Sequence, residues 1–384
     1  MPSESVIPYD LVATKMNFWY SRIKNNDIGN AEKVRREIQQ EINQMEENQD
    51  VLIYYSLLEF RHKLMLAYIY PNAVKDIKEI YGDIRGYIGN RELNGMLEYY
   101  YYFFTGEYHF RQKELTHSLT YYRKAEKCLD TIDRDNIELE KAEFYFNLSE
   151  IFYHMKQTHF SMNYAMHAYD IFKNQPEVDG SATYGVQKVR CQFIIFGNLA
   201  DCYQYDKALK QAHEAYNEAK RLHGKEKNRE HLLRSSLFNI GLCYNNMEEL
   251  DESVSHLFKA LEITKPENHD FMARTLFLIA YIKGKQKDFT EAETFYRRSR
   301  ELAEKYKNDV ILAKLKMVKG LFLSEDLGLV REAFKIFESK DMYPDMEHYG
   351  ESIADILVNK KDAWGATDFY RLAIEAKRQI ERGV

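Results

Sequence analysis

Helix breakers are scarce in this chain: 384 residues hold six prolines and seventeen glycines. Without them a fold of short strands joined by tight turns is excluded, and the many Lys, Glu, Leu, Ala and Tyr residues favour helix nearly throughout. Basic charge is not in excess either, with 54 Lys and Arg against 60 Asp and Glu and a net charge of −6. Nucleic-acid binding normally needs a basic face, so direct DNA binding is not expected. The first 72 residues, with eight Lys and Arg against ten Asp and Glu, argue the same way.

No apolar run approaches the roughly 18 residues that a bilayer span requires. The amino terminus MPSESVIPYDL has neither a charged n-region nor an apolar h-region. A cytoplasmic protein without a membrane segment is expected. Four cysteines (Cys128, Cys191, Cys202 and Cys243) have no CxxC spacing and read as buried, reduced thiols. Twelve scattered histidines lack ligand spacing, so no metal site is expected. Phosphate-binding glycine loops, HExxH and GxSxG are all missing, which excludes the common enzyme classes that carry them.

What is present is a repeat. A small residue recurs with Ala or Ser about 12 and 19 positions later: Gly106, Ser118, Ala125; Ser149, Ser161, Ala168; Gly241, Ser253, Ala260; Ala280, Ala292, Ser299; Ala354, Ala366, Ala373. The stretch Gly197 to Ala215 joins this register one residue short, and Gly320 to Phe334 joins it with more damage. These are the close-packing positions of tetratricopeptide helix pairs. The expected fold is all-α, an N-terminal three-helix bundle followed by a right-handed tetratricopeptide-repeat superhelix of about seven repeats. The bundle, residues 1–72, reads as helices Tyr9 to Lys24, Gly29 to Met45 and Asp50 to Tyr70 with Pro71 as the stop. Residues 73–96 read as a connector and 97–384 as the repeat domain. The aromatic run Tyr99 to Phe104 reads as helix packing, and the charge run Lys225 to Glu230 as a solvated loop.

Three blocks, MEENQDVLIYYSLLEFRHKLML, LEYYYYFFTGEYHFRQKEL and KAEFYFNLSEIFYHMKQTHFSMNYA, resemble the Rap family of Bacillus. The resemblance implies response-regulator aspartate phosphatases and related regulators controlled by short secreted Phr peptides. The bundle would be the partner-binding part and the repeats the peptide sensor. In the resembling phosphatases the glutamine matching Gln49 positions the attacking water; a carboxamide accepts from and donates to one water without adding negative charge near a phosphoryl group. Glu47, Leu52 and Phe60 match the family's partner contacts, and Asn48 stands where its better-known phosphatases have Asp. Asn198, Asp201 and Asn239 match its peptide-binding residues: amides suited to peptide backbone, and a carboxylate suited to a basic side chain. No cofactor of its own is implied, and magnesium is expected only in a response-regulator partner.

The segments IPYDLVATKMNFWY and QKVRCQFIIFGNL look closest to mobile-element members of the family. They support an alternative, a non-enzymatic anti-repressor that binds a transcriptional repressor, or its regulator, to activate transfer of a conjugative element. Whether the protein hydrolyses or only sequesters, which partner and peptide it takes, and whether it forms a homo-oligomer are left open by the residues.

Overall fold

The computed structural model describes residues 6–69, 77–88, 92–132, 137–178, 181–182, 184–222 and 226–382. Two compact units divide the chain: Met1–His154 with His159–Gln175, and Met155–Thr158 with Pro176–Val384.

The first unit opens with α1 (Tyr9–Lys24), α2 (Ile28–Glu41), a 3-10 turn at Ile42–Gln44, and α3 (Gln49–Ile69). The first and third stand where the apolar periodicity places them, while α2 ends at Glu41, four residues before the expected Met45, and gives way to the 3-10 turn. Helix α3 is apolar nearly all round, with Val51, Ile53, Leu57, Leu58, Phe60, Leu64 and Met65 all buried. A helix of that kind is a central one. It is followed by α4 (Ile77–Ile88) and then by two helix pairs, α5 (Gly95–Arg111) with α6 (Leu115–Thr131) and α7 (Glu138–His154) with α8 (Thr158–Lys173).

Two expectations need correction. The supposed connector, 73–96, contains α4, because Ile77, Tyr81, Ile84 and Ile88 recur at helical spacing; a Cβ on Gly82 or Gly86 would meet open space, so those glycines mark no tight turn. Residues 70–76, including the proposed stop Pro71, lie outside the described residues. Nor does the bundle end as a compact body at residue 72. Tyr100 of α5 stacks on Tyr54 with centroids 5.6 Å apart and meets Tyr20 edge-on at 5.2 Å, while the Tyr20 hydroxyl donates to Glu140 at 2.9 Å. Arg61 Nε of α3 lies 2.8 Å from Glu107 Oε2 of α5. The aromatic run Tyr99 to Phe104 is thus helix packing, and it joins bundle and first repeats into one core.

His62, on α3, is fully buried; its Nδ1 accepts from Trp19 Nε1–H at 2.9 Å and its Nε2 is 3.4 Å from Glu32. Burial holds its pKa down to about 4, with the Arg35 guanidinium adding to the effect and Glu32 opposing it. Because the unfolded chain binds the proton more readily, this contribution is complete above the unfolded value of about 6.5 and is lost as pH falls toward 4. Acidification from pH 6.5 to 4.5 is expected to cost about 2 kcal/mol through this group. Denaturant melts across that range check it: His62→Gln, which keeps an acceptor for Trp19, should flatten the slope, and an unchanged slope would assign the acid sensitivity elsewhere.

The second unit carries a two-stranded hairpin, Glu177–Val178 with Ser181–Ala182, and five helix pairs. They are α9 (Gly185–Asp201) with α10 (Tyr205–Arg221), α11 (Glu226–Asn246) with α12 (Leu250–Glu262), α13 (His269–Lys285) with α14 (Phe289–Lys305), α15 (Asp309–Val318) with α16 (Leu327–Ser339), and α17 (Tyr343–Asn359) with α18 (Ala363–Arg382). Across both units seven pairs are described, and each turns from its first helix to its second through one non-glycine residue at positive φ: Lys113, Lys156, Tyr203, Glu248, Lys287, Glu325 and Lys361.

The small-residue register has a physical basis beyond size. Ser118, Ser161 and Ser253 donate their hydroxyls to the carbonyls of Gly106, Ser149 and Gly241 at 2.7, 2.9 and 2.6 Å, pinning second helix to first. Where the register is damaged, around Gly320, α15 runs into a π-helical turn at Lys319–Leu323. The extra residue per turn absorbs the misfit. Of the charge run, Lys225 lies outside the described residues, and Glu226 to Glu230 form the start of α11 rather than a loop. Among the described residues no helix is long and apolar enough to cross a membrane. Of the cysteines, Cys191 and Cys243 are buried, but Cys128 is half-buried and Cys202, capping α9 at its carboxyl end, is exposed.

Candidate functional site

In the first unit the candidate residues gather where α3 begins. The backbone of Ile7 brackets the approaching loop, donating to Gln44 at 3.0 Å and accepting from Glu46 at 2.8 Å. Asn48 then caps the helix, its Oδ1 accepting from Val51 N–H at 3.1 Å. Gln49 follows as the first helical residue, exposed, at the electropositive end of a 21-residue helix. Its Nε2 donates to the Tyr87 hydroxyl of α4 at 3.2 Å. Among the described residues no hydrogen bond engages its amide oxygen. Glu47 is exposed and Leu52 half-buried beside it.

Phe60 does not belong with them. It is 1 % exposed and packs on Tyr81 and Tyr108, with ring centroids 6.1 Å away in each case. Eleven residues of helix separate it from Gln49, about 16 Å along the axis. In this structure its place in the apolar stripe is a core place, away from Glu47 and Leu52.

In the second unit, Asn198 and Asp201 share α9 one turn apart but have different surroundings. Asn198 is 1 % exposed, and its Nδ2 donates to the Ile194 carbonyl of its own helix at 3.0 Å. Asp201 is exposed and paired with Lys156 at 2.6 Å. Asp201 also sits in an acidic neighbourhood: Glu347 and Glu351 of α17 are close, the Tyr203 hydroxyl donates to Glu351 at 3.1 Å, and burial pushes the Glu347 carboxyl above its usual range. Asn239, on α11, is half-buried, and among the described residues no hydrogen bond engages its amide.

Residue reading missed Tyr87, which needs a fold to bring it to Gln49, and the Lys156 partner of Asp201. It also missed a group of cations on successive first helices, Arg190, Arg234 and Arg274 with His231. One signal was available: Arg190 and Arg234 each stand seven residues before the small residue of their helix, Gly197 and Gly241. His231, Arg274 and His348 all present area to solvent, yet the protein around them is dense enough to depress all three pKa values through desolvation. Among the described residues no group of three or more His, Cys, Asp or Glu side chains could hold a metal ion.

Residues 6–67 match the family described as response regulator aspartate phosphatase H, N terminal, and residues 232–305 match the tetratricopeptide repeat. The chain is 41 % identical over 378 residues to response regulator aspartate phosphatase I of Bacillus subtilis (strain 168), covering 98 % of this chain and 93 % of that protein. Among solved structures, the apo form of RapI superposes with a TM-score of 0.73 at 41 % identity, covering 97 % of this chain and 99 % of that one. A Rap protein complexed with competence and sporulation factor superposes with a TM-score of 0.82 at 33 % identity, covering 98 % and 100 %.

Proposed function

The chain belongs to the Rap family, and from that membership we propose a cytoplasmic regulator of two parts: the mouth of α3 engages a response regulator, and the repeats bind a short peptide that ends the engagement. At the mouth, the reaction is hydrolysis of the regulator's aspartyl phosphate. Water attacks phosphorus in line, its oxygen forms the new P–O bond, and the aspartate carboxylate leaves as the bond to phosphorus breaks. Gln49 accepts a hydrogen bond from that water through Oε1 and sets its direction of approach. Its amide adds no charge to repel the phosphoryl oxygens, whereas a carboxylate there would. Magnesium, in this reading, resides in the regulator's own acidic pocket.

The observation that carries the proposal is the position of Gln49: exposed, first in α3, tethered through its nitrogen to Tyr87, within the segment matched to the phosphatase family. Glu47 and Leu52 flank it as the docking rim. For the repeats, the supporting observation is an unengaged amide at Asn239 together with a carboxylate, Asp201, already holding a cation. A peptide's basic side chain would take the place of Lys156 there.

The test follows radiolabel on phosphorylated response regulators incubated with the protein. Gln49→Ala is expected to slow label loss by a factor of about 10 or more at nearly unchanged partner affinity. Equal turnover by both proteins would remove Gln49 from the mechanism. Capture of a regulator that never loses label would replace hydrolysis by sequestration, and capture of a transcriptional repressor instead would favour the anti-repressor reading.

A further inference from the structure

Among the described residues the Gln49 side chain makes one hydrogen bond, and it reaches to another helix: Nε2 donates to the Tyr87 hydroxyl of α4 at 3.2 Å. Tyr87 lies beyond residues 6–67, the segment matched to the phosphatase family. Helix α4 gives that hydroxyl a fixed base. Ile84 and Ile88, before and after Tyr87, are buried, and Tyr81 stacks on Tyr108 of α5 at 4.3 Å and on Phe60 of α3 at 6.1 Å. Tyr87 itself stays 38 % exposed. Gln49 has little else to hold it. Asn48 is turned back to cap α3, and three exposed carboxylates, Glu46, Glu47 and Asp50, stand within three residues. Each of them is an acceptor able to draw an amide nitrogen away, and an exposed glutamine left unheld keeps several rotamers.

We infer that Tyr87 is a positioning residue for the hydrolysis proposed above: it holds the Gln49 nitrogen so that the amide oxygen meets the attacking water. The inference rests on that reading. A carboxamide has two ends of opposite sense, and turning it over puts N–H donors where the acceptor for the water should stand. With the nitrogen given to the phenol oxygen, Oε1 remains to accept from the water. The phenol is uncharged, so it adds no repulsion against the phosphoryl oxygens, as a carboxylate in its place would. Rates of in-line attack fall steeply when an orienting group is misplaced, which makes a fixed anchor for a long side chain matter. That anchor exists only when α4 is seated on α3 and α5, so the Phe60, Tyr81 and Tyr108 rings, remote from the reacting atoms, support the geometry at Gln49.

The experiment uses the full chain and the response regulator that the wild type dephosphorylates, found among purified Bacillus receiver proteins carrying radiolabelled phosphate. Tyr87→Phe deletes the hydroxyl and keeps the ring. In single turnover, label loss at saturating protein is expected to slow about threefold to tenfold, with the half-saturating concentration and the melting temperature as in the wild type. Gln49→Ala combined with Tyr87→Phe should be no slower than Gln49→Ala alone, because the anchor then has nothing to position. A ring that acted only through packing would slow both backgrounds alike. In the free protein, the side-chain amide resonances of Gln49, observed after selective glutamine labelling, should shift and sharpen in Tyr87→Phe. Undiminished hydrolysis by Tyr87→Phe, equal slowing in both backgrounds, or Gln49 resonances indifferent to the substitution would each overturn the positioning role and leave the hydrolysis reading intact. Label retained on every receiver protein by the wild type would overturn the hydrolysis reading and this inference with it.

Discussion

Asn239→Ala is expected to lower affinity for the cognate peptide about tenfold to hundredfold, since a peptide N–H and C=O left without partners cost about 1 to 3 kcal/mol. The free protein loses little, because no hydrogen bond engages the Asn239 amide among the described residues. Its half-buried position makes a change of packing small as well. A peptide ends partner engagement only by favouring the state that does not bind the partner. The variant should therefore stay bound to its regulator at peptide concentrations that release the wild type. Titration calorimetry followed by partner pulldown measures both steps. Wild-type peptide affinity in the variant would place the peptide elsewhere; loss of peptide and partner together, with a lowered melting temperature, would show a folding defect instead.

Glu107→Ala is expected to destabilise the first unit by about 3 to 5 kcal/mol, the usual result of removing one member of a buried ion pair. Arg61 and Glu107 lie 2.8 Å apart, with side chains 11 % and 2 % exposed, and Arg111 stands 3.9 Å away on the other oxygen. Without Glu107, two guanidinium groups share a pocket with no carboxylate between them. The contact approaches closely but off the N–H axis, so Coulomb attraction rather than an aligned hydrogen bond carries it. Replacing both Arg61 and Glu107 by apolar residues of similar volume should recover most of the loss. Denaturant melts of the single and double variants decide this, and a single-variant loss below about 1 kcal/mol would show that the pair is dispensable.

Several elements could be read from residue order alone. The starts of α1 and α3 fall within one residue of the apolar periodicity, because helix propensity and caps such as Asn48 act within a few neighbours. The damaged register at Gly320 marked the π-helical turn without naming it. Helix α4 was hidden by its glycines, which signal turns only when the backbone needs them. Phe60 shows the limit most clearly: its spacing puts it on a stripe of α3, but which stripe faces solvent depends on Tyr81 and Tyr108, supplied from other helices.

By itself the sequence determined a largely helical chain, about seven pairs of helices with small residues at their contacts, and an amide placed just ahead of a buried helix. Those are consequences of 3.6-residue periodicity and of side-chain size, both local properties. The tertiary structure alone decided that Gln49 meets Tyr87, that Asp201 is held by Lys156, and that Arg234 and Arg274 share one aromatic ring. Each of these joins residues about 40 positions apart. Burial and electrostatic field at such a place are sums over neighbours from several helices, and chain order fixes those sums only after the helices have packed.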